Sequence, residues 1–181
     1  MPKTTHPSTH PPLPPTTEDD RVSWLRLLRS RRVGPATFHR LLAEHGSAEA
    51  ALAALPEVAR AAGVPDYTPC PPGVAEAELR AGQAIGARLL TMADPGFPTQ
   101  LKDISDCPPL LWVMGDAALL TRPMIALVGA RNASSLGTRM ARSLAADLSA
   151  RGYLIVSGLA RGIDTAAHLG SLEAGTIAVM A

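Results

Sequence analysis

The chain has 181 residues, of which 46% are hydrophobic, 18% charged and 3% aromatic, and its formal net charge is +1. With 17 prolines, 15 glycines and two cysteines, this composition excludes a wholly disordered chain, a disulfide scaffold and a collagen-like fibre. Neither a membrane span nor a secretory signal is predicted, because no apolar run approaches roughly 18 residues and the N-terminus is polar, so the expected location is the cytoplasm.

The charge is unevenly spread along the chain. Seven arginines stand against three glutamates between residues 21 and 62, residues 63–123 are acidic, and residues 124–181 hold five arginines against three carboxylates. Because the arginine fork suits phosphate, this distribution points to anionic partners, although solvated faces produce such excesses as often. Residues 1–20 are predicted to be a disordered extension, in which His6 and His10 lack the further ligands that a metal site needs.

Residues 21–62 are predicted to form a small domain of three helices. Apolar residues recur at spacings of three and four from residue 22 to 28, a second apolar stripe ends before Gly46, and Ser47 is placed to cap a third helix. The turn Arg31-Arg32-Val33-Gly34-Pro35 separates the first two helices. It is either a basic contact to a nucleic-acid backbone or a purely structural turn, and both interpretations stay open.

The next segment, residues 63–109, is predicted to hold a helix at about 74–90 and an extended, proline-rich linker over 94–109. Cys70 and Cys107 lie far apart in sequence with no clustered histidine. They are therefore predicted to be free thiols rather than a disulfide or a metal site.

Residues 110–181 are predicted to be the first part of a Rossmann-like domain. A short strand at 110–114 is followed by a regular alternation of strands and helices, which indicates a parallel sheet and an α/β fold. The predicted elements are strands at 124–128, 153–157 and 176–180 and helices at about 135–151 and 163–174. Residues Leu136, Met140, Leu144 and Leu148 are predicted to form the buried face of the first helix. Because the last strand is apolar and the sheet is small, we expect a truncated domain with further strands missing.

A glycine-containing turn follows the strand at 124–128. The run Gly129-Ala130-Arg131-Asn132-Ala133-Ser134 leads into a helix, whose first turn offers N–H groups and the positive end of its dipole to an anion. Arg131 adds a full charge and a two-pronged donor. The motifs G-x-G-x-x-G and G-x-x-x-x-G-K-[ST] are absent, so this segment supports a phosphate contact and a merely structural turn equally.

A second loop, residues 158–162, follows the next strand and carries Arg161. The loops that follow parallel strands emerge at one edge of the sheet, so Arg131 and Arg161 are predicted to face one cleft. Asp164 is predicted to cap the next helix, and His168 lies one turn further on, where the two form a pair on the helix face. Ser157 is not in a G-x-S-x-G elbow and is not predicted to be a nucleophile.

Together, the two loops resemble the DprA/Smf family of DNA-processing proteins. The resemblance is carried by residues 127–134 and 156–168, by the preceding Asp94-Pro95-Gly96-Phe97-Pro98, and by residues 21–62, which resemble the family's SAM-like or helix-hairpin-helix region. It covers about 22–181, and the second loop is its most specific part.

This resemblance implies a bacterial protein that binds single-stranded DNA, protects incoming DNA during natural transformation and helps to load RecA. It also implies a homodimer in the full-length protein and no enzymatic turnover; no cofactor or metal is predicted. By position, Gly129-Ala130-Arg131 is the phosphate-binding turn, with Ala130 where the family commonly has serine, and the family's later basic residues and winged-helix domain are expected beyond Ala181. The predicted DNA contacts are Gly129, Ala130, Arg131, Asn132, Ser157, Gly158, Arg161 and Gly162.

Two other functions stay open from the residues alone. One is a nucleotide-processing hydrolase on a Rossmann-like sheet, with Arg131 for phosphate and Asp164 or His168 for acid–base work. The other is an interaction module whose helices at 21–62 bind a protein partner. The two loops favour DNA binding most, although Tyr153 is the only aromatic residue between residues 124 and 181 on which a base can stack.

Overall fold

A computed structural model describes residues 17–180, and the chain divides into two compact units on either side of the bond between Gly115 and Asp116. Most of the predicted extension, including His6 and His10, lies outside the described residues. Its last three residues are helical, which the sequence pattern did not predict. Among the described helices, none is long and apolar enough to cross a membrane.

The first unit contains the three predicted helices, packed around a shared apolar cluster. They are α1 (Glu18–Arg29), α2 (Pro35–His45) and α3 (Ala48–Ala61). Helix α1 begins earlier than predicted because Thr17 and Asp20 form a capping box. The two predicted boundary signals are confirmed: Gly46 is left-handed after α2, and the Ser47 hydroxyl accepts a hydrogen bond from the Ala50 N–H at 3.1 Å.

The predicted helix at 74–90 is wrong over its last six residues. Helix α4 spans Pro72–Ala84, whereas Arg88–Thr91 form strand β1, which pairs in antiparallel register with β2 (Leu110–Val113). Arg88 lies opposite Val113, and Thr91 lies opposite Leu110. A leucine-containing run of four residues suits a helix or a strand, and only the distant partner strand, which supplies the backbone hydrogen bonds, decides between them.

Residues 94–109 are not the predicted extended linker. They include a 3-10 helix at Thr99–Asp103, and Phe97 is 1% exposed. The Asp94 carboxylate accepts hydrogen bonds from the Thr91 N–H at 2.7 Å and hydroxyl at 2.9 Å, and it forms a two-pronged ion pair with Arg21. The segment is therefore tied to both β1 and α1, and the boundary between the units falls after β2 rather than before it.

The two cysteines are free thiols, as predicted. Cys70 and Cys107 are both buried. Burial raises the pKa of the Cys107 thiol above its ordinary value, and the charge of Lys102 opposes that effect only in part. Cys107 is thus held in its unreactive thiol form at neutral pH.

The second unit is the predicted parallel sheet with helical crossovers. After a 3-10 helix at Ala117–Thr121, its elements are β3 (Met124–Ala126), α5 (Ser135–Ala150), β4 (Leu154–Ser157), α6 (Ile163–Ser171) and β5 (Thr176–Ala178). The strands lie in the order β3, β4, β5 and are parallel throughout. The predicted fold class, an α/β sheet preceded by a helical domain, is confirmed.

The predicted buried face of α5 is wrong for three of its four residues. Leu136, Met140 and Leu144 are 59%, 63% and 49% exposed, whereas α5 buries Ala145 completely. Helix α6 approaches α5 closely at Gly170, where an added Cβ would lie 3.0 Å from the Ala145 Cβ. Small residues allow this close packing, so they set the rotation of the helix in place of its largest apolar side chains.

Candidate nucleic-acid interface

Two loops of the second unit lie at the same edge of its sheet. The first, residues 127–134, joins β3 to α5, and the second, residues 158–162, joins β4 to α6. Strands β3 and β4 are parallel neighbours, with Ile125 opposite Ile155, so both loops leave the sheet at the carboxyl ends of its strands. This is the edge at which open α/β sheets bind their ligands.

The backbones of the two loops are in direct contact. The Ile163 N–H donates to the Ala130 carbonyl oxygen at 3.2 Å. Gly162 has φ +89°, and a Cβ added there would collide with the carbonyl oxygens of Ala130 and Arg131. A Cβ on Gly129 would lie 2.6 Å from the Ile163 side chain. The first and second loops therefore form one packed surface, which requires glycine at two of its positions.

Arg131 and Arg161 stand exposed on this surface, one on each loop. Neither forms an ion pair within residues 17–180, where the five ion pairs all lie in the first unit. The N-termini of α5 and α6 lie beside them and contribute partial positive charge. The Ser134 hydroxyl caps α5 by accepting from the Gly137 N–H at 3.1 Å, whereas α6 has no side-chain cap. The surface is thus positively charged and suits an extended anion.

Of the eight predicted DNA contacts, five are exposed, two are half-buried and one is buried. The exposed residues are Gly129, Ala130, Arg131, Asn132 and Arg161; Gly158 and Gly162 are half-buried. Ser157 is 3% exposed, and its hydroxyl donates to the Leu127 carbonyl oxygen at 2.5 Å. That hydroxyl links β4 to the chain after β3 and presents no surface to a phosphate, so we leave Ser157 out of the contacts.

The predicted pairing of Asp164 with His168 does not form. Both nitrogens of His168 are engaged elsewhere, Nε2 with Gly158 O at 2.7 Å and Nδ1 with Thr176 Oγ1 at 2.8 Å. Asp164 is not the helix cap either: Gly162 holds that position, and Asp164 lies 8% exposed in the first turn with its carboxylate against Gly158. The acid–base pair that a hydrolase would use is therefore absent at these two residues.

Sequence reasoning missed the residues that shape the second loop. The Thr165 N–H and hydroxyl both donate to the Ala160 carbonyl oxygen, at 3.2 and 2.8 Å, and the Ile163 side chain packs against Gly129. A threonine in the first turn of a helix after a glycine-rich loop is a signal for such a bond, because its hydroxyl reaches back to a loop carbonyl. Nothing in the neighbouring sequence predicts that Ile163 packs against the first loop.

Two family models match this chain. The model described as "DprA-like N-terminal HHH domain" matches residues 18–81, and the model described as "DNA recombination-mediator protein A" matches residues 88–181. The second match alone spans more than half of the chain, and together the two cover residues 18–181 except 82–87.

Curated relatives are similar over about half of this chain. The DNA processing protein DprA of Streptococcus pneumoniae is 41% identical over 92 residues, which is 50% of this chain and 32% of the relative. DprA of Bacillus subtilis is 36% identical over 53% of this chain and 33% of its own length, and protein Smf of Escherichia coli is 39% identical over 46% and 22%. The chain thus spans a third or less of the length of these relatives.

One solved structure is also similar, the X-ray structure of DNA processing protein A from Streptococcus pneumoniae. It aligns with a TM-score of 0.49 and 33% identity over 59% of this chain and 40% of that chain.

Proposed function

Because this chain belongs to the DprA/Smf family of DNA-processing proteins, we propose that it binds single-stranded DNA through the phosphate backbone. The contacts are Arg131 and Arg161, together with the exposed backbone of Gly129, Ala130 and Asn132 and the half-buried glycines of the second loop. In the full-length protein this binding protects incoming DNA and helps to load RecA during natural transformation. The protein acts there as a cytoplasmic homodimer.

The observation that carries this proposal is the contact between the two arginine-bearing loops. The hydrogen bond from Ile163 to Ala130 holds the first and second loops together, and Arg131 and Arg161 project from them without ion pairs in the described residues. A guanidinium that is not paired with a carboxylate breaks no ion pair when it binds a phosphate. The main cost of binding is then the loss of its hydration. Contacts of this kind bind the backbone without reading the bases.

The proposed role is binding without turnover. His168 is 8% exposed and uses both ring nitrogens in hydrogen bonds, so it does not offer a free base to a ligand. Ser157 is likewise buried and occupied. These two residues favour a binding protein over the nucleotide-processing hydrolase.

Fluorescence anisotropy tests the proposal with labelled oligothymidine and with the corresponding duplex. We expect the single strand to bind more tightly than the duplex, with an affinity that falls as salt is raised. Arg131→Ala is expected to weaken single-strand binding by about 1–3 kcal/mol, the range for a charge-assisted contact. It should also flatten the dependence on salt, because fewer phosphates are neutralised.

Arg151→Ala is the matched control. Arg151 is also exposed and lies at the opposite end of α5, so its removal changes the net charge equally without touching either loop. If both variants weaken binding alike, general charge rather than the loops is responsible. Unchanged affinity and salt dependence in Arg131→Ala would contradict the assignment of Arg131.

A further inference from the structure

A buried histidine links three elements next to the second loop. His168 on α6 contacts Gly158 O through Nε2, at 2.7 Å, and Thr176 Oγ1 through Nδ1, at 2.8 Å. The Thr176 oxygen in turn lies 2.9 Å from Ile155 O. The imidazole therefore joins α6 to the residue that follows β4 and to the first residue of β5.

The donors and acceptors of this cluster show that one nitrogen of the imidazole, Nε2, carries a hydrogen. A carbonyl oxygen only accepts, so Nε2 carries a hydrogen in any arrangement that keeps its bond to Gly158. The Thr176 hydroxyl has one hydrogen, which it donates either to Ile155 O or to Nδ1. If the hydroxyl donates to Ile155 O, Nδ1 carries a hydrogen as well. If it donates to Nδ1, that nitrogen carries none. The bond from Nε2 to Gly158 is the same in both cases.

We propose that His168 is a positioning residue that holds the second loop in its binding conformation through this bond. The inference rests on the proposed function, because the loop matters as the carrier of Arg161. Gly158 begins the loop, and Thr165 holds Ala160 in its middle. The end of the loop is held separately, where Gly162 packs against the carbonyl of Ala130.

Nothing in the first turn of α6 bonds to the Gly158 carbonyl, which leaves His168 as its partner among the described residues. Gly158 is half-buried, and its carbonyl oxygen contacts a side chain that is only 8% exposed, so a lost bond removes its protein donor on the side of the buried imidazole. We expect the first residues of the loop to move, which disturbs the contact of Thr165 with Ala160 and so shifts the neighbouring Arg161. The effect reaches DNA through the loop and not through any contact with His168 itself.

Two substitutions at His168 separate the hydrogen bond from simple packing. Glutamine places an amide N–H at about the reach of Nε2, whereas asparagine places one near the position of Nδ1. We expect His168→Asn to weaken oligothymidine binding about tenfold, as for one lost hydrogen bond. His168→Gln should restore most of that loss. Thr176→Val, which spares the Gly158 bond, should bind like the wild type.

Each variant is first checked for a cooperative melt, and binding is measured well below its transition. Tight binding by both His168 variants would overturn the positioning role. An equal loss in both would also overturn it, because the effect would then follow the imidazole volume and not the donor at Nε2.

The imidazole NMR spectrum of the full chain tests the bond without DNA. Long-range ¹H–¹⁵N correlations are expected to show a hydrogen on Nε2 of His168, and a neutral ring with its hydrogen on Nδ1 would overturn the proposal. If the wild type fails to bind oligothymidine while Nε2 is protonated, the proposed function fails and the bond to Gly158 stands. The two failures are therefore distinguishable.

Discussion

At the scale of single residues, the candidate interface depends on the missing side chains of two glycines as much as on the charges of two arginines. Gly129 and Gly162 lie where the two loops touch, and a side chain at either would collide with the other loop. Glycines in loops at this edge of a sheet commonly let a ligand approach the backbone. The geometry shows that these two let one loop approach the other, and this contact is what places Arg131 and Arg161 on one surface.

Gly162→Ala tests this packing, with Gly152→Ala as the control. Both glycines have nearly the same positive φ, +89° and +90°, but Gly152 faces open space whereas Gly162 faces the Ala130 carbonyl. Gly152→Ala should lose about 1–2 kcal/mol for an alanine at positive φ. Gly162→Ala should lose roughly 1–3 kcal/mol more, through the collision and because its ψ of −124° at positive φ favours glycine alone. Urea denaturation measures the difference. Equal losses would show that the loops are not packed as described.

At the scale of elements, one carboxylate ties the first unit together. Asp94 bonds to Arg21 on α1 and to Thr91 on β1, in a segment whose prolines suggest a linker. Burial alone would raise the pKa of Asp94, but the hydrogen bonds from Arg21 and Thr91 outweigh it, so the pKa lies below its ordinary value. A lowered pKa means that the charged form stabilises the fold.

Asp94→Asn is therefore expected to lower the free energy of unfolding at neutral pH by about 1–3 kcal/mol, as for hydrogen bonds to a charged group. The contribution of the carboxylate is present above the unfolded pKa of about 3.9 and is lost as the pH falls through the lowered native value. The difference in the free energy of unfolding between the variant and the wild type should therefore become smaller below about pH 4.

Glu44→Gln is the control for this prediction, because Glu44 also pairs with an arginine but on the exposed face of α2. It should change the stability by less than about 0.5 kcal/mol. Denaturant curves recorded from pH 7 down to pH 3 measure both variants. A gap for Asp94→Asn that stays constant over this range would contradict the role of its charge.

At the scale of the whole molecule, the two units differ in core and in charge. The first unit has a large buried cluster that includes Trp24, Leu25, Phe38 and Leu41, and its surface arginines are mostly paired. The cluster of the second unit consists of Ala145, Ile155 and Ala167 with two partly buried leucines. Its six arginines, at 122, 131, 139, 142, 151 and 161, form no ion pair in the described part of the chain. The second unit thus combines weak internal packing with a free positive charge.

Hydrogen exchange should reflect this difference. Backbone amides in α1–α3 are expected to exchange more slowly than those of α5 and β4, by roughly tenfold or more, because less apolar surface is buried around the latter. Mass spectrometry of peptides from the full chain measures both units in one sample. Oligothymidine should slow exchange in α5 and the two loops and leave α1–α3 unchanged. Equal protection of both units without DNA would contradict the expectation.

Local signals in the sequence were sufficient for much of this molecule. The three helices of the first unit, the Ser47 cap, the left-handed Gly46 and the parallel alternation of β3 to β5 all depend on residues within a few positions of one another. The second loop was recognisable for the same reason, since its glycines, Arg161 and the helix that follows are contiguous. Apolar periodicity and turn chemistry determine such features because their energies are local.

Long-range contacts decided the rest. Strand β1 exists because β2 pairs with it, the segment at 94–109 packs because Arg21 reaches Asp94, and α5 buries Ala145 because Gly170 lets α6 come close. The sequence makes Ser157 a predicted DNA contact and His168 a candidate for acid–base work. In the folded chain, hydrogen bonds to Leu127, Gly158 and Thr176 occupy both side chains. Local signals in the sequence predict most of the helices and strands and the loops that carry arginine. The contacts of those side chains do not follow from local signals, because their partners are brought together by folding and not by proximity along the chain.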